Sequence, residues 1–343
     1  MQLLSFETLG RSRIGWQQAG LGIVPLDAAV EAFGPSAYGP LAGVTDMLSL
    51  IRAGAPALAA LGRLGAAVAA DPARVAPVDA AQLRWLPPVP HPGKILAVAM
   101  NNSASDARKI SAPSHPMFFL KAPTCLLGHR EALIVRPYYG GLHPEPELAV
   151  VIGRRARDLD PRTALDAVYG YTILNDVTGN AMRAEDRVHY YALYASEGNP
   201  DVLERREQHL SYAARYKGTD GFGPCGPWLV TRDEIADPGQ LDVVCRVGGE
   251  VVAEDSTAFY TYGVAEVLAF ISRFQTLEPG DIVSMGTAFR PGAGSKRSLH
   301  LADLQRVDGP MEVTITGLGT LVTPVRREDP VLPPWRLPRR AHA

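Results

Sequence analysis

The chain has 343 residues, of which 46% are hydrophobic and 20% charged, and its 34 basic and 36 acidic side chains leave a net charge of -2. This length allows two domains of ordinary size. The nearly even charge argues against nucleic acid or an anionic membrane as a partner, because binding phosphates needs concentrated Lys and Arg. The abundance of Gly (33) and Pro (29) predicts many turns between short strands.

The three cysteines, Cys125, Cys225 and Cys245, are far apart in the sequence. They predict neither a disulfide framework nor a zinc site. The N-terminal residues lack the basic start and long apolar core of a secretory signal. The apolar stretch 55–70 is too short to span a bilayer. We therefore expect a soluble, cytoplasmic protein without a membrane partner.

Residues 1–85 predict a small N-terminal α/β domain. Two short strands around a turn precede helices at 41–51 and 55–70, and an Asp-Pro step ends the second helix. Four prolines within 83–94 predict an extended linker. The sequence therefore places a domain boundary after residue 85.

The pattern changes in residues 86–328 to short β-rich runs divided by turn residues. The Gly-Gly pair at 248–249 predicts a hairpin, and 263–274 predicts an amphipathic helix. The polar and aromatic stretch 183–217 predicts a helical excursion or lid, and 329–343 a Pro/Arg-rich tail. The fold class is therefore α+β, predominantly β.

A pair of glutamates, Glu145 and Glu147, stands at the start of the apolar run 148–153. Side chains two positions apart in a strand share a face, where two partly buried carboxylates repel each other. The next strand ends at Asp176, a third carboxylate. Three carboxylates at one point suit a hard divalent cation such as Mg²⁺ or Mn²⁺. The alternative left open is that the glutamates are solvated edge charges and Asp176 is a turn residue.

Several short segments follow one another in a fixed order over residues 94–325, about two thirds of the chain. They are Gly93-Lys94-Ile95-Leu96 with Asn101, Phe119-Leu120-Lys121, the run Glu145 to Gly153, the run Gly170 to Thr178, the run Lys217 to Pro224 with Gly226-Pro227-Trp228, the run Leu277 to Val283, and Gly286-Thr287. In this order the segments resemble the fumarylacetoacetate hydrolase (FAH) superfamily.

The resemblance implies a curved, mixed β-roll in the C-terminal domain, a variable N-terminal domain and a homodimer. It implies that Glu145, Glu147 and Asp176 are the ligands of Mg²⁺ or Mn²⁺, with Ca²⁺ as a third candidate. It also implies that Lys217 holds the enolate or carboxylate oxygens of the substrate, where a fixed positive charge stabilises an oxyanion. The alternative for Lys217 is an ordinary surface lysine.

The resemblance further implies a small-molecule carboxylate substrate, because members act on 2-oxo and β-diketo acids. Gly286 and Thr287 fall on the loop that contacts the substrate carboxylate, and Lys121 and Arg183 are further predicted contacts. A guanidinium matches a carboxylate in geometry, although Arg183 as a surface charge is the alternative. The predicted activity is hydrolytic C–C bond cleavage through a metal-stabilised enolate.

One part of the FAH pattern is missing. Family hydrolases carry a His-x-x-Glu pair that activates water, but Ser105 and Arg108 stand at these positions. A serine without a base cannot replace an imidazole. We predict His189 with Glu197 as the replacement catalytic pair, the alternative being a surface histidine. A further candidate, His143, precedes the metal strand and could orient a ligand.

The missing pair leaves other reactions open. Decarboxylation, tautomerisation and dehydration of a 2-oxo acid need no activated water, so each is an alternative to hydrolysis. An alternative of another class is a catalytically inactive metal-binding scaffold, in which the fold and the metal are kept and catalysis is lost.

Overall fold

The computed structural model describes residues 1–106, 109–287 and 302–329, and only the backbone of 104 and 105. Its strands and helices, in chain order, are β1 (Gln2–Thr8), β2 (Arg11–Gln18), β3 (Gly22–Pro25), α1 (Leu26–Phe33), α2 (Met47–Ala70), β4 (Arg84–Trp85), β5 (Ile95–Ala99), α3 (Ser103–Asp106), β6 (Met117–Lys121), β7 (Leu126–Leu127), β8 (Leu133–Val135), β9 (Leu142–His143), β10 (Pro146–Ile152), β11 (Val168–Asn175), β12 (Thr178–Gly179), α4 (Asn180–Glu185), β13 (Arg187–Ser196), β14 (Asn199–Ser211), α5 (Ala214–Gly218), β15 (Gly223–Thr231), β16 (Asp242–Val247), β17 (Glu250–Ser256), α6 (Val264–Phe274), β18 (Ile282–Thr287), β19 (Met311–Ile315), β20 (Gly319–Thr323) and β21 (Val325–Arg327).

Within the described residues, a mixed sheet of eleven strands forms the centre of the molecule. Its strands lie in the order β3-β2-β1-β15-β11-β10-β18-β5-β6, with β4 beside β1 and β7 beside β15. Most neighbours are antiparallel, whereas β18 runs parallel to β5, and β15 to β7. A second sheet has the order β17-β16-β19-β20. These mixed sheets confirm the predicted α+β, predominantly β, class.

Strand β10 shows how the main sheet is covered on both faces. Leu148 and Val150 pack into the core that contains α6 and the second sheet, whereas Ala149 and Val151 pack with α2. Successive side chains of a strand point to opposite faces. A continuous apolar run is therefore what a strand buried on both faces requires.

Helix α2 differs from the two predicted helices at 41–51 and 55–70. It begins at residue 47, where the Asp46 side chain accepts a hydrogen bond from the Ser49 backbone N–H, at 2.7 Å. This cap fixes the start of the helix, because it satisfies a free N–H group of the first turn. The prediction of helix from residue 41 was wrong, since residues 35–41 form a short 3₁₀ segment instead.

The two predicted helices join into one element that is interrupted at Gly54, which has a φ of +67° and precedes Pro56 by two residues. Among the described helices, α2 alone is long and apolar enough to cross a membrane. Its Leu50, Leu61 and Leu64 are buried in the core beneath the main sheet. The apolar face of α2 is therefore used in packing.

The first strand of the chain joins the main sheet. In β1, Gln2 pairs with Val230 and Leu3 with Leu229 of β15. Helices α1 and α2 then cover the face of that sheet which carries Ala149 and Val151. Residues 1–85 thus share a sheet and a core with the rest of the chain, and their separation as a domain stays a prediction.

The stretch 183–217 is not mainly helical, so the prediction of a helical excursion was wrong, whereas the lid stays a prediction. Between the short helices α4 and α5, strands β13 and β14 form an antiparallel hairpin of residues 187–211, and none of the residues in its two strands is buried. Its Tyr, Val and Leu residues favour an extended chain. The predicted hairpin at 248–249 (β16 and β17) and the predicted helix at 263–274 (α6) are confirmed.

Four features of the sequence lie outside the described residues. They are the side chain of Ser105, Arg108, the loop that follows Thr287, and the tail from residue 330 onward.

Candidate metal centre

The pairing of β10 with β11 brings the three predicted carboxylates together. Pro146 pairs with Asn175, so Glu145 and Asp176 lie at the same end of the two antiparallel strands. The Asp176 N–H donates a hydrogen bond to the Glu145 carbonyl oxygen at 2.8 Å. One oxygen from each of Glu145, Glu147 and Asp176 lies within 4.8 Å of the others.

Glu147 is fixed by groups of β18. The Ser284 hydroxyl and the Gly286 N–H donate to its Oε2 at 2.6 and 3.0 Å, and the Thr287 hydroxyl lies 3.3 Å from its Oε1. Gly286 has a φ of +86°, and a Cβ there would lie 2.8 Å from the Val98 carbonyl oxygen. A side chain at this position is therefore both strained and blocked.

Glu145 is hydrogen-bonded to His143, which stands two residues before it in the sequence. The His143 Nε2 lies 2.9 Å from Glu145 Oε1, and its Nδ1 lies 2.8 Å from Asn180 Nδ2. Because the Asn180 amide donates to Nδ1, we assign the ring proton to Nε2, which then donates to Glu145. His143 is only 1% exposed. Its hydrogen bond orients the Glu145 side chain, and the predicted role in orienting a metal ligand stays a prediction.

Two buried lysines contact the carboxylates. The Lys217 ammonium donates to Glu145 Oε2 at 2.7 Å and to Asp176 Oδ2. Lys121 donates to Asp176 Oδ1 at 2.5 Å, to the Lys217 carbonyl oxygen and to the Phe222 carbonyl oxygen at 3.2 Å. These three acceptors use all three donors of Lys121, whose side chain is fully buried. The predicted substrate contact Lys121 is thus a support of Asp176 in this structure.

Burial and mutual repulsion perturb the acids. Burial, followed by the charges of Asp176 and Glu145, raises the pKa of Glu147 to about 8. Burial opposes ionisation of Glu145 as well, but Lys217 and His143 outweigh it and hold the pKa of Glu145 well below its usual range. Burial disfavours the ammonium of Lys217, yet the surrounding carboxylates raise its pKa above the usual value.

The donor set fits a hard divalent cation. Three carboxylates offer only oxygen atoms. Burial and the neighbouring acids disfavour the ionised form of Glu147, so a cation bound beside it would stabilise that form. Glu145, Glu147 and Asp176 would hold the ion, as the sequence predicted. The three carboxylates stand at the paired ends of β10 and β11, so the pairing of these two strands holds the site together.

The remaining predicted substrate contacts lie at different places. Thr287 Oγ1 faces the cluster, 3.4 Å from Glu145 Oε2 and 3.3 Å from Glu147 Oε1. The Gly286 N–H donates a hydrogen bond to Glu147. Arg183 lies exposed on α4 and has no hydrogen bond or ion pair within the described part of the chain.

The predicted pair His189 and Glu197 is not brought together. His189 lies near the base of the hairpin, where it is hydrogen-bonded to Glu207 at 3.0 Å and stacked on His209. Glu197 lies in the turn at its tip. Eight extended residues separate the two by roughly 25 Å. The pairing is therefore corrected: the strand register places His189 opposite His209, and its side chain is hydrogen-bonded to Glu207.

Sequence reasoning missed Ser284 and Asn180. Ser284 lies in an apolar strand more than 130 residues from the glutamate that it contacts. Its one signal is a small polar residue in a run that is otherwise buried and apolar. Asn180 reaches the cluster only through His143.

Comparison with known proteins decides the family. Residues 94–326 match the family described as fumarylacetoacetate (FAA) hydrolase, C-terminal. The chain belongs to the fumarylacetoacetate hydrolase family. The match covers more than half of the chain and starts where the strands of the C-terminal part begin.

Three solved FAH-fold structures are similar to the chain. The fumarylacetoacetate hydrolase of Exiguobacterium antarcticum is 29% identical with a TM-score of 0.68, and the match covers 96% of this chain and 100% of that one. The maleylpyruvate hydrolase of Sphingobium sp. SYK-6, in complex with manganese(II) and pyruvate, is 26% identical with a TM-score of 0.65, covering 95% and 99%. The 2-hydroxyhepta-2,4-diene-1,7-dioate isomerase of Mycobacterium marinum is 30% identical with a TM-score of 0.54, covering 72% and 79%. The FAH family thus includes hydrolases and isomerases, and the predicted FAH-type fold is confirmed.

Proposed function

We propose that this protein is an enzyme dependent on Mg²⁺ or Mn²⁺ that cleaves a C–C bond beside the keto group of a 2-oxo or β-diketo acid. The observation that carries the proposal is the convergence of the Glu145, Glu147 and Asp176 carboxylates on the Lys217 ammonium. The manganese and pyruvate bound by the Sphingobium enzyme support a divalent ion and a 2-oxo acid.

The charge balance of the site supports an anionic substrate. With all three acids ionised, the ammonium groups of Lys217 and Lys121 leave one negative charge without compensation. A divalent cation converts this deficit into one excess positive charge. In a buried site such an excess attracts a carboxylate strongly, because the dielectric screening is weak.

The chain's own groups have separate tasks in this reaction. A bound divalent ion supplies a Lewis acid that favours the charge developing on the keto oxygen. Lys217 supplies a fixed ammonium to the same developing oxyanion. The Thr287 hydroxyl, which faces the cluster, donates to the substrate carboxylate. Lys121 and His143 keep Asp176 and Glu145 in place.

Decarboxylation, tautomerisation or dehydration is the second candidate. Ser105 and Arg108 stand where hydrolases of the family carry the pair that activates water. Among the described histidines, only His143 hydrogen-bonds to one of the three carboxylates, and both of its ring nitrogens are hydrogen-bonded. The isomerase from Mycobacterium marinum supports this alternative.

The deciding experiment is NMR of the purified protein with Mg²⁺ and a panel of acylpyruvates, oxaloacetate and a 2-keto-3-deoxy sugar acid. Protein treated with EDTA is the control. Pyruvate and a free acid that form only with metal are expected from hydrolytic C–C cleavage. Loss of CO₂, keto–enol exchange or loss of water without hydrolysis would favour the second candidate.

The inactive metal-binding scaffold is separated from both candidates by turnover combined with metal binding. Silence across the panel together with absent Mn²⁺ binding in calorimetry would contradict the proposed metal-dependent enzyme. Silence with tight Mn²⁺ binding would contradict the proposed substrate class and favour the scaffold.

The same proposal includes a homodimer in the cytoplasm, without nucleic acid or membrane as a partner. Free thiols at Cys125, Cys225 and Cys245, all buried, suit a reducing compartment. Sedimentation equilibrium is the measurement that decides the oligomeric state, and a mass near 36.8 kDa would contradict the dimer.

A further inference from the structure

A cavity of about 310 Å³ lies between helix α4 and the base of the β13–β14 hairpin. Its polar lining consists of Asn180, Arg183, Arg187, His209 and Ser211. Within the described part of the chain, this lining includes no carboxylate. His209 lies on β14, opposite His189 near the start of β13. The base of the hairpin therefore forms one wall of the cavity.

The positive charges at this cavity have no anionic partner among the described residues. Arg183 makes no ion pair there, and Arg187 contacts a neutral acceptor, His209 Nδ1, at 3.3 Å. The nearest acids in sequence, Glu185 and Asp186, are both bound by Arg215. Two guanidinium groups facing one cavity repel each other unless an anion lies between them.

The other polar groups at the cavity are also suited to donate hydrogen bonds. Because Arg187 donates to His209 Nδ1, we assign the ring proton of His209 to Nε2. The ring is held in place by stacking on His189, with centroids 4.0 Å apart. Ser211 adds a hydroxyl. Guanidinium, imidazole and hydroxyl donors around a concave space are the groups that recognise carboxylate or phosphate oxygens.

The cavity is separated from the metal centre by a filled space. Asn180 at its edge is hydrogen-bonded to His143, and the opposite nitrogen of that ring is bonded to Glu145. The buried ring of His143 therefore lies between Asn180, at the cavity, and Glu145, in the carboxylate cluster. Across this ring, an anion in the cavity does not touch the cluster.

We propose that this cavity is an oxyanion-binding site, separate from the metal centre, that takes a carboxylate or phosphate group between Arg183 and Arg187. The two guanidinium groups supply the charge and the paired donors. His209 and Ser211 complete the contacts from the returning strand.

The test is titration calorimetry of the full-length protein after EDTA treatment, at low ionic strength, with inorganic phosphate and, separately, with succinate. The wild-type protein is expected to bind at least one of them. Arg183→Gln and Arg187→Gln are each expected to weaken binding at least fivefold, about the smallest effect of losing one charged contact. Because metal is removed, failure of the proposed function does not affect this result.

Arg205→Gln is the matched control. It removes the same charge from the hairpin, at a residue that lies over the Tyr191 ring and outside the cavity lining. Binding of phosphate alone, or of succinate alone, would support the site and identify the ligand class. Absence of binding by both anions would overturn the proposal. So would an equal loss in Arg205→Gln, or unchanged binding when Arg183 and Arg187 are replaced together.

Discussion

At the scale of single residues, the contacts of Glu147 define what its replacement should do. Ser284 and Gly286 donate to one oxygen and orient the other toward the cluster. Glu147→Gln keeps the size of the side chain and removes the charge. We expect Mn²⁺ affinity, measured by calorimetry, to fall by more than the roughly 10–100-fold that loss of an outer supporting contact costs.

Glu31→Gln is the control for this change. Glu31 is exposed on α1, away from the three carboxylates, and its replacement should leave Mn²⁺ affinity unchanged. Unchanged affinity in Glu147→Gln would show that Glu147 is not a ligand.

His129 makes stability depend on pH. Its Nδ1 accepts a hydrogen bond from the Val322 N–H at 3.1 Å, and its ring packs edge-on against Trp85. Burial, followed by the charge of Arg130, lowers the pKa of His129 from 6.5 to about 4. The unfolded chain therefore takes up this proton at a higher pH than the folded chain does.

The stabilisation from neutral His129 is complete above pH 6.5 and is lost as the pH falls toward 4. Between pH 7 and pH 5 this residue alone should lower the free energy of unfolding by about 2 kcal/mol. Urea unfolding at the two pH values measures it. His129→Asn should remove that part of the difference, whereas His91→Asn, at an exposed position, should retain it. Equal pH dependence in His129→Asn and the wild type would contradict the assignment.

At the scale of elements, the β13–β14 hairpin is the feature that local pattern failed to predict. Its charged and aromatic residues resemble those of a surface helix, yet the chain forms a two-stranded ribbon exposed on both faces. Large apolar side chains such as Tyr191, Leu193 and Leu203 are more than half exposed. The β13–β14 hairpin therefore buries little apolar surface in the folded chain.

Replacement of residues 188–210 by a short Gly-Ser loop should change the free energy of unfolding by less than about 1 kcal/mol, because almost no packed surface is lost. Chemical denaturation provides the measurement. The contrasting variant is Leu268→Ala in α6, a fully buried position whose truncation should cost about 2–5 kcal/mol. If the loop variant lost as much free energy of unfolding as Leu268→Ala, the β13–β14 hairpin would have to pack against the rest of the chain.

At the scale of the whole molecule, the main sheet runs through both parts of the chain. Strand β1 pairs with β15, and helices α1 and α2 cover one face of β10 and β11. Removing residues 1–85 would therefore expose Ala149, Val151 and Leu229, which are completely buried in the intact chain.

A chain limited to residues 86–329 should lose cooperative thermal unfolding and aggregate, because an uncovered sheet face and a free strand edge are left. Differential scanning calorimetry is the measurement, with the hairpin-replaced chain as the control for removal of residues. A cooperative transition near that of the intact protein would instead support residues 1–85 as a separate domain.

Local spacing along the chain was sufficient to predict several features of this protein. The alternation of Glu145 and Glu147 before an apolar run, and Asp176 after the next one, indicated a candidate carboxylate cluster with solvated edge charges as the open alternative, and the structure brings the three together. The helix α6 and the 248–249 hairpin were equally local, because period and turn chemistry are read within about ten residues.

The groups that support this cluster could be identified only in the folded chain. Lys121 and Ser284 reach the carboxylates from strands that are 55 and 137 residues away in sequence, and Asn180 reaches His143 from 37 residues away. Their contacts depend on strand register across the sheet, which no local pattern contains. The β13–β14 hairpin joins neighbouring segments, with His189 opposite His209 and hydrogen-bonded to Glu207, and its charged and aromatic composition did not distinguish an extended hairpin from a surface helix. Spacing along the chain determines the face of the sheet to which a side chain points. Only the assembled sheet determines which groups that side chain contacts.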